Sequence, residues 1–220
     1  MIGDIIDIEE RHLEPAIKIV NKIKANILAS EKYAITVGGE SGSGKSTLAL
    51  AIRKVLEDEK IGCYIFHMDD YFKLPPATNH EARFKDINWV GPAEVRLDLL
   101  QEHIDAFKNG VAIIEKPLVH YKANNILSEG VNLSAFNVVI AEGTYTTLME
   151  NIDTKVFMLR NFEDTFEDRK KRARDPIVPF NEKVLRIEHG IVSKHAAMSD
   201  ILVAKNYEVE LNKIKTRHQQ

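Results

Sequence analysis

The chain has 220 residues, a formal net charge of −3, and 44% hydrophobic against 29% charged residues. That suits one α/β domain with a full core and argues against a disordered chain or a second domain. The acidic balance argues against a general nucleic-acid binder, the lack of an apolar run near the ~20 residues of a span argues against a membrane protein, and the lone Cys63 argues against an internal disulfide.

No signal-peptide core opens the chain, so a reduced, cytoplasmic protein is expected. Residues 1–32 read as an N-terminal extension. Ile2 to Ile8 suggests a short edge strand, and Pro15 suggests the first turn of a helix. Ala16, Val20, Ile23, Ile27 and Leu28 give that helix one apolar face, opposite Lys18, Lys22 and Lys24. The face is expected to pack on the domain; the alternative is a dimer or partner surface, so a homo-oligomer is left open.

Tyr33-Ala34-Ile35-Thr36-Val37 is a short apolar run of strand formers. It runs into Gly39-Glu40-Ser41-Gly42-Ser43-Gly44-Lys45-Ser46, which matches G-x-x-x-x-G-K-[ST] in full. After it, Leu48, Ala49, Ile52, Val55 and Leu56 recur at helical spacing. Strand, glycine loop and helix together make a phosphate site. The glycines let the backbone wrap with its N–H groups inward, and the helix N-terminus adds positive potential. Gly39, Ser41, Gly42, Ser43, Gly44, Lys45, Ser46 and Thr47 are therefore assigned to nucleotide binding. Lys45 is expected to reach the β- and γ-phosphates of ATP, and the Ser46 hydroxyl to ligate Mg²⁺. The competing reading is a flexible Gly/Ser turn.

The helix is expected to end near Gly62. Cys63 to Met68 is a second strand whose continuous apolarity fits a parallel strand covered on both faces, and Cys63 is read there as a buried thiol. It delivers Asp69-Asp70-Tyr71-Phe72 to a carboxyl end, where open α/β sheets bind ligands. Lys73 to Asn88 reads as loop, followed by Asn88-Trp89-Val90-Gly91-Pro92 and a helix over 93–108. Val111 to Ile114 suggests a short strand leading into a polar-aromatic loop, Glu115 to Lys122. Phe136 to Ala141 is a third strong strand that ends in Glu142-Gly143, and Lys155 to Leu159 a fourth. Phe162 to Arg174 reads as a helix carrying Arg169, Lys170, Lys171, Arg172 and Arg174, broken by Pro176 and Pro179. This segment, 162–179, is expected to be a lid that closes over nucleotide; a solvated helix face is the alternative. Asn181 to His195 reads as a further helix, and Asp200 to Ala204 as a last strand. The whole is expected to be one P-loop domain over 1–220, an α/β three-layer sandwich on a mostly parallel sheet of about five strands.

A phosphate loop alone is shared by GTPases, motor ATPases and small-molecule kinases. An Asn-Lys-x-Asp element for guanine is absent, and the third strand ends in a glutamate followed by glycine rather than in Asp-Glu. Carboxylates from neighbouring strand ends beside the γ-phosphate suit a kinase: one can take a hydroxyl proton while another holds Mg²⁺. With these residues assembled, the chain resembles the uridine kinase and phosphoribulokinase family over roughly residues 33–204. The carrying segments are the phosphate loop, Met68-Asp69-Asp70-Tyr71-Phe72, Asn88 to Pro92, Lys116-Pro117, Glu142-Gly143, Arg174-Asp175 and Ser199 to Val203.

The resemblance implies an ATP- and Mg²⁺-dependent kinase acting on a hydroxyl of a small metabolite. It places the catalytic aspartate on Asp69, also beside the metal, the magnesium-site glutamate on Glu142, and a lid cation on Arg174. The acceptor pocket is assigned to Tyr71, Arg83, Trp89, Lys116, His120 and Tyr121, with core packing as the alternative for the aromatics. The family's Asn-Phe-Asp-His-Pro here reads Asn88-Trp89-Val90-Gly91-Pro92, and its Pro-x-Tyr-Asp-Phe reads Pro117 to Tyr121. Both lose the acid, which weighs against uridine because a missing partner for a sugar hydroxyl is strongly discriminating. A pantothenate, sugar or glycerate type of the same core is the first alternative. An ATP-binding regulator without turnover, signalling through the N-terminal helix, is the second.

Overall fold

The computed structural model describes residues 8–172 and 178–213. Most of the edge strand expected over Ile2–Ile8, and Arg174 in the lid, lie outside them. In chain order the elements are α1 (Glu10–Leu28), β1 (Tyr33–Gly39), α2 (Lys45–Asp58), β2 (Cys63–His67), α3 (Pro76–Lys85), α4 (Leu97–Lys108), β3 (Ile113–His120), β4 (Asn125–Asn132), β5 (Val138–Glu142), β6 (Thr154–Met158), α5 (Phe166–Arg172), α6 (Pro179–Val192), β7 (Ile201–Val203) and β8 (Val209–Leu211).

The main sheet runs β2-β5-β1-β6-β7-β8. All its pairings are parallel except that of β8, which lies antiparallel to β7 at the edge. β1 and β5 are buried along their whole length, as continuous apolar runs covered on both faces should be. Ile35 and Val37 of β1 face α1 and α2, while Ala34 faces the layer built by Leu100, Ile104 and Phe107 of α4. The expected three-layer α/β sandwich is therefore what the chain forms, with β1 and β5 as neighbouring central strands.

The apolar stripe of α1 is buried in this domain: Ala16, Ile19, Val20, Ile23 and Ile27 pack with Leu48, Ala49, Ile52 and Leu56 of α2. Each such aliphatic side chain contributes about 1.5–3 kcal/mol as an upper estimate. Pro15 sits inside the helix rather than in its first turn, because Glu9 and His12 start the helix earlier through a capping box. α2 stops at Asp58, well before Gly62, and Lys60 takes the left-handed conformation with φ 66°.

Two expected loops are ordered elements. Residues 76–85 form α3, with Pro76 in its first turn, where the missing N–H costs nothing. The stretch Glu115–Lys122 is mostly β3, which pairs with β4 in a separate antiparallel hairpin from Ile113↔Asn132 to His120↔Asn125. A two-stranded ribbon tolerates Pro117, because each strand keeps a free edge.

Behind this face Tyr71 Oη and His103 Nδ1 lie 2.8 Å apart in the core. Burial, followed by the charges of Lys116 and Arg96, holds the His103 imidazole below its ordinary range. Burial does the same for His12 and His195. An imidazole held down in the fold stabilises it above the ordinary imidazole value and loses that contribution as the pH falls through the folded value. The melting temperature is expected to fall from about pH 7 to about pH 5, the range in which imidazoles charge. A His103→Gln variant should show a shallower fall over that window; an identical slope would assign the acid loss elsewhere.

Candidate active site

Residues 40–44 carry the chain from β1 into α2, and Ser41, Gly42 and Gly44 among them line a cavity of about 560 Å³. Gly42 is needed twice over. Its φ is 80°, and a β-carbon there would lie 2.8 Å from Cγ and Cδ of Arg169. Arg169, on α5, therefore lies directly across the loop; one terminal nitrogen donates to the Phe162 carbonyl at 2.9 Å, and its Nε is buried with no partner among the described residues. Lys45 opens α2, is 8% exposed, and donates from Nζ to the Glu40 carbonyl at 2.8 Å. Glycine-shaped backbone, the N-terminus of a long helix and buried cations over it fit a polyphosphate group.

Register places the acids. His67 of β2, Glu142 of β5 and Val37 of β1 are cross-strand partners, so the segments following all three emerge at one level. Ser46 Oγ donates to Glu142 Oε2 at 3.0 Å, and His67 Nδ1 lies 2.7 Å from Glu142 Oε1. Gly143 follows with φ 157°, and a β-carbon there would meet Met68 Cβ at 2.3 Å, so this turn admits only glycine. Asp69, in the helical turn after β2, lines the cavity. These are all oxygen donors, the type a hard cation such as Mg²⁺ prefers. Among the described residues no group of three or more His, Cys, Asp and Glu forms a complete metal site.

Asp70 behaves differently from its neighbour. It is 1% exposed and accepts from Val119 N at 3.0 Å and from Lys116 Nζ at 3.2 Å, fastening the β3–β4 hairpin to the sheet. Lys116 is itself buried and also meets Glu129 at 3.2 Å. The segment that follows β6 is fastened as well. Glu40 accepts from Phe162 N at 2.9 Å and pairs with His189 of α6 at 2.6 Å. Glu188, beside His189, accepts from Ser41 N at 2.7 Å and Ser41 Oγ at 3.0 Å. Burial pushes the Glu188 carboxyl up, opposed by Lys45 and the Ser41 hydrogen bonds.

Of the residues assigned from sequence, the cavity brings together Ser41, Gly42, Gly44, Lys45, Ser46, Thr47, Asp69, Glu142, Arg83 and Tyr121. Gly39 closes β1, and the buried Ser43 lies behind the loop surface. Four acceptor candidates stand elsewhere. Tyr71 is core, Lys116 is held by Asp70, Trp89 donates from Nε1 to Asn79 Oδ1 at 2.9 Å, and His120 Nδ1 accepts from Ala123 N at 3.1 Å. Glu188, Tyr145 and His67 were not assigned from sequence, because nothing in their local pattern separates them from helix-surface or core residues; Arg169 was singled out only as one cation of the basic run.

A parallel sheet with a phosphate loop after its central strand, carboxylates on the adjacent strand ends and a cationic segment across the loop defines the P-loop kinase class of fold. The model of the phosphoribulokinase/uridine kinase family matches residues 34–175, and the chain belongs to that family. It is similar to the uridine kinase of Latilactobacillus sakei subsp. sakei, 26% identical over 87% of this chain and 97% of that one. It is equally 26% identical, over 81% of its length, to the bifunctional alpha-galactosidase/sucrose kinase of Mediterraneibacter gnavus, of which it spans only 20%. Among solved structures, the D-glycerate 3-kinase of Cryptococcus neoformans shares the fold with a TM-score of 0.61 at 12% identity, over 89% of this chain and 98% of that one.

Proposed function

We propose that the protein is an ATP- and Mg²⁺-dependent kinase that transfers the γ-phosphoryl group to a hydroxyl of a small metabolite. The observation that carries this reading is the convergence of Lys45, Ser46, Asp69 and Glu142 on one cavity from three adjacent strand ends. The alpha-galactosidase/sucrose kinase, uridine kinase and D-glycerate 3-kinase relatives, with acceptors of quite different chemistry, support transfer to a hydroxyl without fixing which one.

The residues divide the work as follows. The loop N–H groups and Lys45 hold the β- and γ-phosphates, and Arg169 lies where charge on the transferring group needs neutralising. Ser46 and Glu142 would hold the metal, which when bound would supply charge stabilisation to the transferring phosphoryl group. Glu142 is kept in place by His67. Asp69 accepts the proton of the acceptor hydroxyl as its oxygen bonds to the γ-phosphorus, while the bond to the β-phosphate oxygen breaks and ADP leaves. Arg174 is retained as a second lid cation in this proposal. Among the described residues no helix is long and apolar enough to cross a membrane.

The test is ADP release from ATP·Mg²⁺ in the presence of nucleosides, sugars, glycerate and pantothenate in turn. Acceptor-dependent ADP release that disappears on Mg²⁺ chelation is expected for at least one of them. Tight ATP binding with no acceptor-dependent turnover across the set would replace the kinase with a nucleotide-binding regulator.

A further inference from the structure

Above the phosphate loop, the cavity holds buried polar side chains that phosphoryl transfer does not use. Tyr145, just beyond Glu142-Gly143, is 1% exposed, lines the cavity, and its hydroxyl has no partner among the described residues. A phenol hydroxyl buried without a hydrogen bond is costly and calls for a ligand group that supplies one. Across from it stands Arg83 of α3. Its Nε is gripped by Glu94, a carboxylate with 0% exposure that also accepts from Asn79 at 2.6 Å and Gly91 N at 2.8 Å. Glu94 therefore fixes the guanidinium, whose terminal nitrogens no described residue takes.

Glu188 completes the group. Its oxygens accept from Ser41, and each keeps further acceptor capacity. Arg83, Tyr145 and Glu188 are electrostatic neighbours: Glu188 and Glu94 push the Tyr145 phenol up beyond the effect of burial, and Arg83 opposes them.

The charges decide what fits. Lys45, Arg83 and Arg169 share the cavity lining with Asp69, Glu81, Glu142, Glu182 and Glu188, and Arg83 is further balanced by Glu94, so an anionic acceptor would meet no net positive charge there. What the wall presents is a fixed donor, an acceptor and a hydroxyl able to do either, beside Phe72, Leu74 and Tyr121. Hydroxyl groups donate and accept at once, and carbon-bound hydrogens between them suit an apolar wall.

We propose that Tyr145, Arg83 and Glu188 form the acceptor subsite, and that it takes an uncharged polyhydroxylated molecule rather than a phosphorylated or carboxylated one. This rests on the kinase reading above, and it adds the chemical class of the acceptor and the residues that select it.

The experiment measures ATP·Mg²⁺ binding directly and, in parallel, ADP release with sucrose, fructose, glucose, ribitol and uridine against glycerate, pantothenate and ribulose 5-phosphate. Uncharged probes alone should stimulate release. Tyr145→Phe should raise the acceptor KM by about tenfold, the worth of one well-formed hydrogen bond, while leaving the ATP KM within about twofold. Its melting temperature should not fall, because the hydroxyl it removes has no partner among the described residues; a merely structural tyrosine would lower it. Glu188→Gln, which keeps an acceptor for Ser41 N, should likewise act on the acceptor KM. Preferred turnover of an anionic probe, no stimulation by any uncharged probe while ATP binds, or an unchanged acceptor KM in Tyr145→Phe would overturn the subsite. Failure to bind ATP·Mg²⁺ at all would instead remove the kinase reading, and the subsite with it.

Discussion

Lys45→Ala is expected to bring acceptor-dependent ADP formation to background while the protein stays folded. Lys45 Nζ donates to the Glu40 carbonyl at 2.8 Å, and Lys45 lines the cavity rather than the apolar layers. Losing a hydrogen bond from a charged donor costs about 1.5–3 kcal/mol, within the ~5–15 kcal/mol that an ordinary domain has. The functional loss is larger. Removing one preorganised positive group from a transition state commonly costs about 10²–10³-fold in rate, and in the proposed function the same group also holds the nucleotide. Circular dichroism melting together with kcat/KM separates the two effects. Full turnover in a well-folded variant would withdraw the phosphate-loop assignment.

Much of this arrangement was legible from residue order because it is local. The phosphate loop needs its glycines at fixed offsets, and β1, β2 and β5 are buried on both faces, so their apolarity is continuous and strong. What local pattern could not show is where irregular chain becomes regular through tertiary support. α3 begins at a Pro-Pro pair and has a single buried residue, Asn79, so it carries almost no apolar stripe. β3 alternates weakly because its buried positions include Lys116, whose burial makes sense only once Asp70 is seen beneath it.

The same physics explains the acceptor pocket. Tyr71, Trp89 and Lys116 were assigned to the acceptor pocket from the family resemblance, with core packing as the alternative for the two aromatics. Each instead satisfies a buried partner: His103, Asn79 and Asp70 respectively. The groups that do line the cavity, Tyr145 and Glu188, arrive from positions separated by more than forty residues and meet only through the fold. A glutamate in the middle of an amphipathic helix gives no local sign that it will cap the phosphate loop. Its one available signal was adjacency to His189, which pairs with the loop's own Glu40.

The adjacent aspartates allow the sharpest separation of chemistry from architecture. Asp69→Asn should leave ATP binding and melting near wild type and lower kcat by roughly 10²–10⁴-fold, the range for a positioned general base. It lines the cavity beside Lys45 and Glu142, and asparagine keeps its shape while giving up the ability to take a proton. Asp70→Asn should do the reverse. The amide oxygen can still accept from Val119 N, but among the described residues Lys116, 2% exposed, is left with only Glu129, which is 42% exposed, as its ionic partner. Breaking a buried ion pair from one side costs about 3–5 kcal/mol, or a drop of roughly 6 °C or more for a domain of this size. Activity should then follow the loosening of the β3–β4 hairpin rather than vanish. Measuring kcat and melting temperature on both variants decides the matter. An inactive Asp70→Asn that melts like wild type, next to a mildly impaired Asp69→Asn, would exchange the two roles and move the base one residue along the strand end.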